Sequence, residues 1–159
     1  MIFATVGTQL PFDRLIEALD QLAPGLAEPV FAQTGASTYQ PRNMEWIPSI
    51  PPLEVDRYFA DARVVVAHAG IGTILTCQKL GKPVILFPRA VKYGEHRNDH
   101  QLATAGQLDG RPGIYVARTA AQLGTLLSGD LAPPSGQLIP PSRERLQQHL
   151  DAIIRSVGG

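Results

Sequence analysis

Val64-Val65-Val66-Ala67-His68-Ala69-Gly70-Ile71-Gly72-Thr73 is the stretch that decides how this chain folds. Val64 to Ala67 is an unbroken apolar run, as expected of a parallel strand buried on both faces. A glycine turn follows, and then Ile71 to Leu80 reads as a helix that Gly81 closes. Val84-Ile85-Leu86-Phe87 repeats the buried-strand pattern and leads through Pro88 into a polar cluster from Arg89 to Gln101. Strand, glycine turn, helix, strand and polar loop would bring a phosphate-type site and a hydrogen-bonding site to one sheet edge.

Working outward from it, Ile2 to Val6 is a first strand ending at Gly7-Thr8, and Pro11 suits the first turn of a helix. Phe12, Leu15, Ile16, Leu19 and Leu22 recur at helical spacing, and Pro24-Gly25 ends that helix. Pro29 to Thr34 reads as a second strand, Gly35 to Arg42 as a polar loop and Met44 to Ile47 as a third strand. The proline-dense Pro48 to Pro52 is a turn, and Leu53 to Ala60 a short helix. On the other side, Arg97 to Ala105 reads as a helix ended by Gly106, and Ile114 to Val116 as the last strand. Thr119 and Gln122 have capping-box spacing ahead of Leu123, Leu126 and Leu127. A Pro/Gly/Ser-rich connection spans 128–141. Over 142–159, Leu146, Leu150, Ile153, Ile154 and Val157 mark an amphipathic helix. The alternation predicts an α/β fold over 1–127, a single Rossmann-like domain with a mostly parallel sheet flanked by helices.

Composition narrows the function classes. The 159 residues suffice for one compact domain with a real core. Fourteen Lys plus Arg balance fourteen Asp plus Glu, so no charge excess points to nucleic acid. The one cysteine, Cys77, cannot form an intrachain disulfide, which fits a reducing, cytoplasmic setting. It is expected in the core, and Trp46 is expected to serve packing. No apolar run approaches the roughly 20 residues that span a bilayer, so membrane association is expected through a surface or a partner.

In an open parallel sheet, ligands bind beyond the carboxyl ends of the strands. Gly7-Thr8-Gln9, His68 to Thr73 and Arg89 to Asn98 should all arrive there. Gly70 and Gly72 let backbone approach a ligand. The helix starting near Gly72 or Thr73 offers free N–H groups and a dipole that favour an anion. Thr73 would cap that helix or donate its hydroxyl, and His68 would face a diphosphate. The bland alternative is a tight turn whose glycines serve packing alone. Glu95, His96 and His100 have some zinc-like spacing, but no fourth ligand is nearby. Arg89, Lys92 and Arg97 read first as a solvated basic cluster, second as contacts to a phosphate or carboxylate. The first strand lacks G-x-G-x-x-G, which argues against dinucleotide binding.

His68-Ala69-Gly70-Ile71-Gly72-Thr73, the Gly81-Lys82-Pro83 turn, Pro88 and Glu95-His96-Arg97-Asn98-Asp99-His100-Gln101 resemble the glycosyltransferase family 28 C-terminal domain, the donor-binding half of GT-B enzymes. Within that family the chain is most similar to the soluble subunit of two-subunit transferases. These are the UDP-N-acetylglucosamine transferase of dolichol-linked oligosaccharide synthesis and bacterial exopolysaccharide relatives. The resemblance implies that His68, Ala69, Gly70, Ile71, Gly72 and Thr73 hold the donor diphosphate, with Gly7 and Thr8 across the crevice. It implies that Glu95, His96 and Asn98 face the sugar hydroxyls and that Ile50 to Leu53 meet uracil, with Arg89 and Gln101 counted among the substrate-binding residues. Glu95 and His96 are the local candidates for a catalytic base, which otherwise lies on a partner. Thr76 stands where many GT-B enzymes place a ribose-binding glutamate, a departure that weakens the ribose contact. The implied reaction is an inverting transfer from a UDP-sugar to a polyprenyl-diphosphate-linked acceptor, with neither cofactor nor metal. The implied partner is a membrane-anchored subunit resembling a GT-B N-terminal half, holding this chain at the cytoplasmic membrane face. A non-catalytic donor-binding or activating subunit is the alternative.

Overall fold

The computed structural model describes residues 1–7 and 10–134. Thr8, Gln9, the second half of the 128–141 connection and the expected helix over 142–159 lie outside the described residues. The strands are β1 Ile2–Thr5, β2 Val30–Gln33, β3 Glu45–Ile47, β4 Val64–Ala67, β5 Val84–Leu86 and β6 Ile114–Val116. The helices are α1 Asp13–Leu22, α2 Pro52–Asp61, α3 Ile71–Leu80, α4 His100–Leu108 and α5 Ala120–Leu127. All strand pairings are parallel, in the order β3-β2-β1-β4-β5-β6. The chain therefore leaves β1 in one direction through β2 and β3, and in the other through β4, β5 and β6. Between β1 and β4 the connections diverge, and a crevice opens beyond their carboxyl ends.

The period-two alternation of each strand feeds two cores. Ile2, Ala4, Val64, Val66 and Ile85 face α1 and α5, joined there by Leu15, Leu19 and Leu123. Phe3, Val65, Ala67, Val84 and Leu86 face the other layer with Phe59, Ile74 and Leu108. β4 is buried at all four positions, as its unbroken apolar run requires. Cys77 belongs to the second core, and burial pushes its thiol up to about 12. Trp46, on the edge strand β3, stays 37% exposed.

Helix ends show where local signals were overridden. α1 begins at Asp13, two residues after Pro11. Asp13 faces the polar loop instead, accepting from the N–H groups of Thr38 and Tyr39 and from the Thr38 hydroxyl. α4 starts at His100 rather than Arg97, because Asn98 and Asp99 are bound up in turns: Asn98 Oδ1 accepts from His100 N–H, and Asp99 Oδ1 from Val91 N–H. Gly106 does not end α4, which continues to Leu108. The αL signal lies later, at Gly110 with φ 85°. Gly81 closes α3 as expected, with φ 69°. The capping box at α5 forms with a shift: Gln122 N–H donates to Thr119 Oγ1, and Gln122 Oε1 accepts from Arg118 N–H, one residue earlier than usual.

Asp20 ties the same loop to α1 from inside. It is 2% exposed, and its carboxylate accepts from Tyr39 Oη at 2.7 Å and from the N–H groups of Arg42 and Asn43 at 3.0 and 2.7 Å. Burial alone would raise its pKa, but these donors together hold it below the usual aspartate value. Asp20→Ala should cost about 2–3 kcal/mol, since it leaves buried donors unpaired, and Tyr39→Phe about 1 kcal/mol. Urea unfolding at neutral pH measures both; equal costs would contradict the network.

Candidate functional site

The first turn of α3 sits at the edge of the crevice. Gly70 is its N-cap in extended conformation, and no side chain caps the helix. The N–H groups of Ile71, Gly72 and Thr73 precede any residue that could satisfy them within the helix. They form, with the helix dipole, a feature that attracts anions. The helix runs from Ile71 to Leu80, as its apolar run reads, and does not start at Gly72 or Thr73, so Thr73 is its third residue rather than its cap.

His68 lies between two glycines, Gly70 of its own turn and Gly7 of the β1 loop. A β-carbon at Gly70 would overlap His68 Cε1, and one at Gly7, where φ is 78°, would sit 3.2 Å from Nε2. These glycines are therefore required by the imidazole. Gly72 is different: a β-carbon there meets nothing within 4 Å. The two glycines of the motif thus have separate reasons, packing for Gly70 and open space for Gly72. Burial lowers the His68 pKa to about 4, with the positive Arg89 and then His96 adding to the effect. At neutral pH the ring is an uncharged N–H donor.

Gln101 reaches back from α4 to the ring, its Nε2 lying 3.3 Å from His68 Nδ1. Its Oε1 accepts from the Arg89 N–H at 3.0 Å. The Arg89 side chain, expected as a solvated cation, is only 3% exposed. Its Nη2 donates to the carbonyls of Val6 and Leu10, and its guanidinium lies 4.9 Å from the centre of the Phe12 ring. Those carbonyls, left without partners where β1 ends, draw the cation inward. Arg89 thereby ties the loop after β5 to the loop after β1.

Glu95 is paired with Arg14 of α1. Its Oε2 accepts from Arg14 Nε at 2.9 Å and its Oε1 from Arg14 Nη2 at 2.9 Å and Ala90 N–H at 3.1 Å. Its side chain is 8% exposed. The Arg14 guanidinium also stacks near Phe87 and Tyr93, at 4.6 and 4.4 Å from the ring centres. This pair lines an open cleft of about 630 Å³ that also takes in Arg118 and Thr119. His96 stands closer to the crevice. Burial, then Arg89, Arg97 and His100, lower its pKa, and its Nδ1 accepts from Asn98 N–H at 3.4 Å. The Thr76 hydroxyl donates to Gly72 O one turn back. Among the described residues no three His, Cys, Asp or Glu side chains gather as a metal site needs. Ile50 to Leu53 lies at the start of α2, with Leu53 almost fully exposed.

Two residues absent from the sequence reading hold this edge together. Gln33 is 5% exposed; its Oε1 accepts from Thr5 Oγ1 and Val6 N–H, and its Nε2 donates to Gly7 O and Pro48 O. A glutamine closing an apolar strand was the available signal. Arg14 carries none, since its partner lies 81 residues away.

Two outcomes test this geometry. Gly70→Ala should destabilise by about 1–3 kcal/mol through displacement of the imidazole. Gly72→Ala should be neutral or stabilising by up to about 1 kcal/mol, as a helical position with room for a methyl. Equal penalties in urea unfolding would contradict the separate roles. For His68, the folded pKa of about 4 lies below the ordinary 6.5. The unfolded chain therefore binds the proton more readily, and the stability from this group is present above pH 6.5 and lost as pH falls toward 4. The loss for wild type is on the order of 2–3 kcal/mol between pH 7 and 4, and smaller in His68→Asn. Identical pH profiles would refute the buried neutral ring.

The profile of the glycosyltransferase family 28 C-terminal domain matches residues 1–112. A search of curated proteins gives no match. Among solved structures, ALG13 superposes with a TM-score of 0.61 at 16% identity, covering 94% of each chain. CalG4, the calicheamicin glycosyltransferase, gives 0.58 at 19% identity over 99% of this chain and 40% of its own. MurG of Acinetobacter baumannii gives 0.58 at 20% identity over 98% of this chain and 45% of its own. The chain thus spans less than half the length of those two enzymes, and at such identities the likeness is one of fold. The match over residues 1–112, on a sheet whose switch-point crevice carries the motif, places the chain in the glycosyltransferase family 28 C-terminal domain family.

Proposed function

We propose that this chain is the donor-binding half of an inverting glycosyltransferase that takes its sugar from a UDP-sugar. The observation that carries the reading is the uncapped first turn of α3 beside a neutral His68, at the crevice between β1 and β4. There the N–H groups of Ile71, Gly72 and Thr73, the Thr73 hydroxyl and an imidazole N–H would converge on the donor diphosphate. As the glycosidic bond breaks, negative charge grows on the leaving UDP. Fixed donors placed for that charge lower the barrier without reorganising. The open space at Gly72 lets the phosphate approach the backbone. His96, Asn98 and the second Gln101 amide hydrogen would meet sugar hydroxyls, with Thr76 as a single ribose contact. No metal or cofactor enters this scheme.

The acceptor side is proposed to lie on a membrane-anchored partner resembling a GT-B N-terminal half, which would present a polyprenyl-diphosphate-linked acceptor. The likeness to ALG13 over 94% of each chain, beside a match to less than half of CalG4 and MurG, supports reading these residues as one half of a GT-B fold. Among the described residues no helix is long and apolar enough to cross a membrane. Both Glu95 oxygens are held by Arg14 and Ala90, which favours His96 or a partner residue as the base. The same commitment of Glu95 favours the second reading, a subunit that binds donor while its companion does all the chemistry.

Titration calorimetry with UDP and UDP-sugars, with and without the partner, tests the proposal. Saturable UDP binding is expected, and His68→Ala and Thr73→Ala should each weaken it about tenfold, the worth of one hydrogen bond to a charged group. Gly72→Ala should weaken it too while leaving stability intact. Absent UDP binding, or unchanged affinity in all three variants, would refute the phosphate assignment. Turnover by the reconstituted pair that survives loss of every candidate base on this chain would establish the second reading.

A further inference from the structure

We infer that Gln101 is a positioning residue that fixes the tautomer of His68, so that Nε2 carries the proton and the donor edge of the ring faces the crevice. The inference deepens the proposed phosphate role of His68 and rests on it for its functional meaning. Its geometry stands independently.

The polarity is set by a backbone group that can only donate. Arg89 N–H lies 3.0 Å from one terminal atom of the Gln101 amide. That atom must be the oxygen, because an amide nitrogen could not accept. The other terminal atom, 3.3 Å from His68 Nδ1, is then the NH₂ group. An NH₂ group donates, so Nδ1 accepts and carries no hydrogen. In a neutral imidazole the proton then sits on Nε2. The same ring edge is the one nearest Gly7, whose missing side chain leaves Nε2 room at the β1 loop. The order is a relay of fixed polarity: Arg89 N–H to Gln101 Oε1, Gln101 N–H to His68 Nδ1, and His68 Nε2–H toward the crevice. Arg89 is itself held by Val6 O and Leu10 O, and a flipped amide would set its NH₂ group against the Arg89 N–H, donor against donor. With the opposite tautomer, Nε2 would present a lone pair to an anionic ligand and repel it.

Long-range proton–nitrogen NMR of the nitrogen-labelled, ligand-free chain reads the two ring nitrogens of His68 directly. The wild type should show a protonated Nε2 and an unprotonated Nδ1 at neutral pH. Gln101→Glu keeps an oxygen for Arg89 N–H but replaces the NH₂ donor by a carboxylate oxygen, and Nδ1 should then become protonated. A wild-type ring with its proton on Nδ1, or a Gln101→Glu ring whose Nδ1 stays unprotonated, would overturn the inference. Neither measurement involves a nucleotide, so its failure is distinct from failure of the UDP assignment. Should Gln101→Glu not fold, the wild-type spectrum alone decides.

Discussion

The carboxyl edge of this sheet depends on one steric constraint. An imidazole at the end of β4 must fit between the α-carbons of Gly7 and Gly70. Those two residues follow adjacent central strands whose register sets Thr5 against Ala67. The parallel pairing therefore fixes the spacing of the two loops, and the loops leave a slot for one ring and no side chain more. Holding the ring there removes it from water, which keeps it neutral. Neutrality makes it a hydrogen-bond donor whose polarity its neighbours can set.

Around that slot the protein uses buried polar groups as ties between segments far apart in sequence. Arg89 joins the β5 loop to the β1 loop, Gln33 joins β1 to the turn at Pro48, and the Arg14–Glu95 pair joins α1 to the loop before α4. Each satisfies carbonyls or N–H groups that end-of-strand loops would otherwise leave unpaired. The ties rigidify the site, and a rigid site is what electrostatic stabilisation of a leaving group requires.

The sheet was legible in the sequence because its strands are short runs, and β2, β5 and β6 are each entered directly from a proline or glycine. β4 and β6 were readable to the residue, and the αL glycine closing α3 was plain. The helix ends at Asp13 and His100 were not, since side chains of Ser37, Asn98 and Asp99 and the polar loop compete with the local start signals. In the site, His68 and its glycines announce themselves by spacing. The burial of Arg89 and the turning of Glu95 toward Arg14 do not, because both follow from contacts between residues 74 to 83 positions apart. Sequence periodicity reports what faces a core. It carries no information on which distant carbonyl will draw in a guanidinium.

The central claim is that the first turn of α3 receives the donor diphosphate. Amide NMR during a UDP titration tests it most directly. The account predicts saturable shifts concentrated at the N–H groups of Ile71, Gly72 and Thr73, with the His68 ring responding at the same concentrations. Shifts confined to the cleft at Arg14, Arg118 and Thr119, with the α3 amides unmoved at saturation, would contradict it.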